Sequence, residues 1–335
     1  MLDTTALPPL RAGKNLLAFS GGVDSSALFF LLLENDIEFD LAIVDYQRRD
    51  QSKEEVAYAK RLADDHAKKC HLLETTLSEK NFEAEARASR YSFFESLITQ
   101  YHYSNLITAH QLDDRLEWLL MQLSKGAGLY ELLGMQAIEK RQDYTLLRPL
   151  LQTPRSELLA YLHEHKITYY QDESNEDTRH RRNAFRHQIA KPLMEHSVSG
   201  IKKSFDYLHE DLEGLLSREP TVCRVKALYY FELPASRRHT VIIIDKVLKS
   251  MGHLMRQGDR AALKEAREHV VGRRYVVTIH TDYCFIAPYA QQVMDKAFKE
   301  ECRLLKLPPK LRPYLAREPE VYDALKALLG QRERH

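Results

Sequence analysis

Ser20-Gly21-Gly22-Val23-Asp24-Ser25 stands between two apolar runs, Leu16–Phe19 before it and Ala27–Leu33 after it. A buried strand, a tight glycine turn and a helix start, in that order, make a loop able to hold phosphate. Glycine lets the backbone approach an anion closely. The helix that follows offers unpaired N–H groups and the positive end of its dipole. Ser20, Ser25 and Ser26 add hydroxyl donors, and Asp24 suits a divalent cation accompanying the phosphate, because hard cations take oxygen ligands. Serine, glycine and aspartate also form ordinary turns and caps. The flanking strand and helix favour a nucleotide site. The string lacks the Gly-Lys-Ser/Thr ending of a Walker A loop.

At 335 residues the chain has room for two domains. Ala27–Leu33 is the longest apolar run and is far too short to span a bilayer. The first residues carry no export-like pattern. Cys70, Cys223, Cys284 and Cys302 are scattered, which disfavours a zinc site, an iron–sulfur cluster or a disulfide framework and fits a reducing cytoplasm. The net charge of +1 hides an asymmetry: residues 216–335 hold 23 Lys/Arg against 14 Asp/Glu. A basic final third beside an acidic remainder predicts a polyanionic partner, although a solvated, unevenly charged surface has the same composition.

The first 110 residues alternate strand and helix. Strands are predicted at Leu16–Phe19, Phe39–Asp45, His71–Glu74 and Asn105–Ala109. Helices are expected over residues 25–35, 51–66 and 82–101. That rhythm predicts an α/β fold, a doubly wound and mostly parallel sheet whose ligands bind beyond the carboxyl ends of its strands. Thr153 is read as a helix cap with Pro154 in the first turn. A further helix is expected over 202–217, then helices within 234–255 and 258–269 and a strand pair at 275–279 and 283–286. The expected division is a catalytic domain over 1–200, followed by a helical linker and a smaller α+β domain over 201–335.

A second polar cluster, Ala109-His110-Gln111-Leu112-Asp113-Asp114-Arg115-Leu116-Glu117, falls where the fourth strand gives way to a helix. Asp113, Asp114 and Glu117 share one helix surface, where their mutual repulsion calls for a shared cation, metal or ammonium. Acidic residues also suit a helix start without any ligand. Asp45-Tyr46-Gln47-Arg48-Arg49 follows the second strand, and its arginines could face phosphate or simply mark the surface. A third cluster runs from Asp172 to Asp177 and on to Arg179, Arg181, Arg182 and Arg186, guanidiniums fit for phosphates or bases if not merely solvated.

Together these blocks resemble the tRNA(Ile)-lysidine synthetase family of the pyrophosphate-loop superfamily, enzymes that split ATP into AMP and pyrophosphate. Five blocks appear in the family's order over about the first 190 residues: Ser20–Ser25, His110–Glu117, Gly126-Ala127-Gly128-Leu129, Arg148-Pro149-Leu150, and Asp172–Asp177 with Arg182-Asn183 and Arg186. Trp118 departs from the family's threonine and His180 from its usual aromatic. Asp45–Arg49 departs from a His-His-Gly-Leu-Arg pattern, so Tyr46 and Gln47 inherit no role.

The resemblance implies an adenine nucleotide alpha hydrolase-like fold and ATP-dependent joining of free L-lysine to C2 of the wobble cytidine in a CAU-anticodon tRNA(Ile). Ser20, Gly21, Gly22, Val23, Asp24 and Ser25 would cradle ATP, and Asp24 and Asp113 would hold Mg2+. Asp114 and Glu117 would receive lysine, while His110 would orient groups or move a proton. Arg148, Arg182 and Arg186 would hold the adenylate phosphate. The basic last domain would grip tRNA. A homodimer is left open. The alternatives are a tRNA thiolase, which the isolated cysteines disfavour, an amidotransferase-like ligase, for which no glutaminase segment is evident, and a non-catalytic RNA binder, which would not need a carboxylate cage.

Overall fold

The computed structural model describes residues 1–47, 51–77, 82–171, 181–216 and 219–332. It separates into two compact units, Met1–Leu212 and Glu213–His335. The expected boundary after residue 200 falls within the same helix as the observed one.

The first unit opens with α1 (Leu7–Ala12) and then alternates β1 (Asn15–Ala18), α2 (Val23–Glu34), β2 (Phe39–Asp45), α3 (Gln51–Asp65), β3 (Cys70–Glu74), α4 (Phe82–Tyr101) and β4 (Asn105–Ile107). Next come α5 (Leu112–Leu123), α6 (Leu129–Leu132), β5 (Ile138–Lys140), β6 (Thr145–Leu147) and α7 (Arg155–Glu164). The unit closes with α8 (Arg181–Phe185), a π turn (Arg186–Ala190) and most of α9 (Lys191–Leu216). The sheet order is β3-β2-β1-β4-β6-β5, parallel except for the edge strand β5.

Period-two alternation sends successive residues of β1 to opposite faces. Leu17 joins a core with Phe29, Leu32, Leu41 and Leu158, whereas Leu16 meets Phe94, Leu97 and Leu106. Both faces are therefore covered, as a parallel sheet with helical crossovers requires. Because β1 pairs with β2 on one side and β4 on the other, the strand order reverses there, and a crevice opens at the carboxyl ends of β1 and β4.

Several sequence expectations need correction. β4 ends at Ile107 rather than Ala109. β5 and β6 were not anticipated: each has three residues, too few to display a period. Pro154, not Thr153, is the cap of α7, with φ −72° and ψ 150°. Thr153 instead donates to the Met1 carbonyl at 2.6 Å and accepts the Leu112 N–H at 3.0 Å. The helix expected from residue 202 begins at Lys191, with a non-helical break at Ser197.

The second unit is an antiparallel sheet of five strands rather than two, ordered β7 (Cys223–Val225), β8 (Leu228–Glu232), β11 (Tyr283–Pro288), β10 (Tyr275–Ile279) and β9 (Glu268–Val271). Helices α10 (Arg237–Ser250) and α11 (Gln257–Glu265) pack their apolar residues into a core containing Val277 and Ile286. A second core, around Val276 and Phe285, takes residues of α12 (Lys296–Leu304), α13 (Arg312–Arg317) and α14 (Pro319–Arg332).

Candidate active site

The loop after β1 turns at Gly21, whose φ of +74° lies where side chains are strained. Gly22 caps α2 without a side chain, so no side chain competes for the amides of the first turn. Internal hydrogen bonds hold the loop. Ser25 Oγ donates to the Gly22 carbonyl at 3.2 Å and lies 3.1 Å from Ser20 Oγ. Ser26 is fully buried and donates to the Gly21 carbonyl at 3.2 Å, which makes it a brace rather than a ligand donor. Val23 is buried in the core and anchors the loop by packing. From outside, Tyr170 donates its N–H to the Gly21 carbonyl at 2.9 Å and sets its ring near Gly21.

Asp24, in the first turn of α2, points into the crevice. Its Oδ1 is buried without a hydrogen-bond partner, while Oδ2 accepts from Arg155 Nη1 at 3.1 Å. Burial pushes the Asp24 carboxyl up to about 7, helped by the charges of Asp114 and Asp113. Arg155 opposes this only in part, since its own side chain is 40% exposed and its charge is screened by water.

The second loop arrives from β4, the neighbouring strand. Gln111 caps α5: its side-chain oxygen accepts the Asp113 N–H at 2.5 Å, while its own N–H donates to Asp114 Oδ2 at 3.1 Å. Asp113 Oδ2 accepts the backbone N–H of Arg155 at 3.0 Å, and burial raises its pKa. Arg155 thus links Asp24 and Asp113, one through its guanidinium and the other through its backbone.

Arg182 donates to Asp114 Oδ1 at 2.6 Å and to Glu117 Oε2 at 2.9 Å, and Arg186 donates to Glu117 Oε1 at 2.6 Å. The acidic start of α5 is therefore both a cap and a charge receptor. Burial alone would raise Asp114, but Arg182, the Gln111 amide and Arg186 together hold it below the ordinary carboxylate value. His110 shares a 2.9 Å hydrogen bond with Thr108 through Nδ1, and burial lowers it to about 4 against the pull of Asp114. It is a neutral imidazole at neutral pH, unlike a group titrating there.

The structure brings Ser20–Ser25, Asp113, Asp114, Glu117, Arg182 and Arg186 to adjoining strand ends. Arg148 is held differently, donating to the Gln136 carbonyl at 2.7 Å and to Glu139 at 3.0 Å beside β5. Asp45 accepts the Gln47 N–H at 2.7 Å, and Tyr46 donates to the Ala86 carbonyl at 3.0 Å. Arg48, Arg49, Asp172–Asp177, Arg179 and His180 lie outside the described residues.

Sequence reasoning passed over Arg155, Tyr170 and Thr108. Arg155 stands in a helix-start pattern directly after the Arg148 block, which was its one signal; Tyr170 and Thr108 had none.

Among the described residues, no three His, Cys, Asp or Glu side chains converge as a complete metal cage. The unpartnered Asp24 Oδ1 and nearby Asp113 nevertheless suit Mg2+, which takes one or two carboxylates and completes its shell with water and substrate phosphates.

Residues 4–193 match the PP-loop domain family. A tRNA(Ile)-lysidine synthase of Wolinella succinogenes is 46% identical over 306 residues, covering 91% of this chain and 93% of its own. Another, from Helicobacter pylori, is 40% identical over 93% of this chain and 91% of its own. Among solved structures, the U34-tRNA thiolase NcsA of Methanococcus maripaludis shares 17% identity and a TM-score of 0.47, covering 63% of this chain and 74% of that one.

Proposed function

The chain belongs to the tRNA(Ile)-lysidine synthases, a family of PP-loop enzymes, and from that premise we infer its reaction and the work of each residue. It uses ATP to join L-lysine to C2 of the wobble cytidine of the CAU-anticodon tRNA(Ile). The cytidine O2 attacks the α-phosphorus of ATP, and pyrophosphate leaves. The lysine amine then bonds to C2 as the C2–O bond breaks, expelling AMP and losing its proton. The resulting lysidine pairs with A rather than G, so the codon read changes from AUG to AUA. No helix among the described residues is long and apolar enough to cross a membrane; acting on a tRNA, the enzyme would work in the cytoplasm.

The observation that carries this reading is the convergence of the Ser20–Ser25 loop and the Asp113–Glu117 turn at neighbouring strand ends. The backbone of Gly21 and Gly22, the α2 amides and the Ser20 hydroxyl hold the pyrophosphate portion of ATP, while Ser25, whose hydroxyl donates to the Gly22 carbonyl, braces the loop beside Ser20. Asp24 and Asp113 would hold Mg2+, which when bound neutralises charge on the leaving pyrophosphate. Arg182 and Arg186 are the cations for the α-phosphate, and Arg148, held by Gln136 and Glu139, is not counted with them. Asp114 and Glu117 receive the lysine cation. His110, neutral and fixed by Thr108, orients the reacting groups by hydrogen bonding. The second unit, with exposed Arg273 and Arg274 in the turn before β10, supplies positive charge for the tRNA backbone.

The test is to incubate the protein with tRNA(Ile), Mg2+-ATP and lysine and to analyse the anticodon nucleosides by mass spectrometry. Lysidine at the wobble position is expected. Unmodified cytidine, or a thiolated base when a sulfur donor is supplied, contradicts the reading.

A further inference from the structure

The carboxylates assigned above to lysine are not open to it. Glu117 has a side-chain exposure of 2%, and both its oxygens accept from guanidiniums that lie further out, Arg182 at 43% and Arg186 at 25%. Asp114 is similarly engaged: Oδ2 caps α5 and Oδ1 accepts from Arg182. Both carboxylates already hold a guanidinium partner. An incoming lysine must displace at least one arginine, and water is a poor exchange for a buried carboxylate partner.

A polyphosphate offers the displaced guanidiniums a better place. Its oxygens accept the same bidentate geometry as a carboxylate and carry more charge. The arginines stand on a segment whose local geometry is not that of a continuous helix. Arg182 lies on the five-residue α8, Arg186 opens the π turn, and α9 is broken at Ser197. Single π turns are frequent at functional sites.

We propose that Arg182 and Arg186 are a removable cover of the lysine subsite, drawn from Asp114 and Glu117 to the phosphates of bound ATP, so that lysine binds after nucleotide. This rests on the assignment of lysine to Asp114 and Glu117. The cover keeps the amine out until an activated carbonyl is at hand. It also couples the two ligands reciprocally: ATP strengthens lysine binding, and lysine strengthens ATP binding by the same factor.

Equilibrium dialysis of radiolabelled L-lysine against the full chain, with and without α,β-methylene ATP and Mg2+, tests the cover on the unaltered protein. Affinity is expected to be about tenfold or more higher with the nucleotide, and equal affinity in the two arms overturns the cover. Arg186→Gln should narrow the difference by raising nucleotide-free affinity. Glu117→Gln should lose lysine binding in both arms. If Glu117→Gln still binds lysine, or the unaltered protein binds none in either arm, the assignment of lysine to these carboxylates falls, whatever becomes of the cover.

Discussion

Arg155 and Asp24, 131 positions apart in the chain, meet in the crevice, with Nη1 of the arginine 3.1 Å from Oδ2 of the carboxylate. The contact joins the start of α7 to the start of α2. The neighbouring backbone N–H of Arg155 reaches Asp113, so one residue spans the two loops that meet over the sheet. Even so, Asp24 keeps one buried oxygen unpartnered. A carboxylate left in that condition costs folding energy and is retained where a ligand supplies the missing partner.

Asp24→Asn should therefore lose activity and gain stability. The carboxyl is raised to about 7 in the folded chain from 3.8, so the folded form binds more protons than the unfolded form between those values. Its contribution is most favourable below 3.8 and is lost as pH rises through about 7. In thermal melts without ligand, the Asp24→Asn variant should exceed the unaltered protein in Tm by a margin that widens from pH 5 to pH 8. A constant margin would show that Asp24 is not desolvated. Pyrophosphate release should be abolished in the same variant.

Glu117→Gln should behave in the opposite sense. It leaves Arg182 and Arg186 facing a neutral amide over a buried site, and the loss in urea unfolding should be about 1–3 kcal/mol, below the full cost of a broken buried pair because both arginines are partly exposed. Lysine transfer should fall by about a hundredfold or more, while tRNA-dependent pyrophosphate release persists. Loss of both steps together would place Glu117 in nucleotide binding instead.

His110 is lowered to about 4 from 6.5. Across pH 5.5–8 it stays neutral, so the rate profile of lysine transfer should show no break near 6.5 arising from this residue. On acidification the unfolded chain takes up the proton first, and the stability due to neutral His110 is lost as pH falls from 6.5 through 4. His110→Asn should flatten that acid loss in melts. A rate break near 6.5 that disappears in the variant would contradict the assignment.

In the second unit, reversing Arg273 and Arg274 to glutamate alters an exposed turn, not a core. Folding should be unaffected, while tRNA affinity falls and its dependence on salt becomes shallower, because fewer counterions are released on binding. Unchanged affinity in filter binding would assign the tRNA to another surface.

Much of this architecture was legible in the sequence because its signals are local. The runs at Leu16, Phe39 and Asn105, each ahead of a helix, fix a parallel sheet, and the glycine turn after the first marks its crevice. β5 and β6 escaped because three residues show no periodicity, and Thr153 was mistaken for a cap because the proline beside it can fill that position itself. In the site, the carboxylates could be found from their spacing. What occupies them could not: Arg182 and Arg186 reach Glu117 from 65 and 69 positions away, and Arg155 reaches Asp24 across a still longer stretch. Nothing at the level of spacing shows that these guanidiniums and carboxylates belong to one network.

The most direct measurement is the yield of AMP and pyrophosphate against lysine incorporated into tRNA(Ile) by the unaltered protein. One of each per lysine is predicted, with pyrophosphate formed in a tRNA-dependent burst when lysine is omitted. Cleavage of ATP to ADP, or AMP formation with no lysine joined to the tRNA, would contradict it.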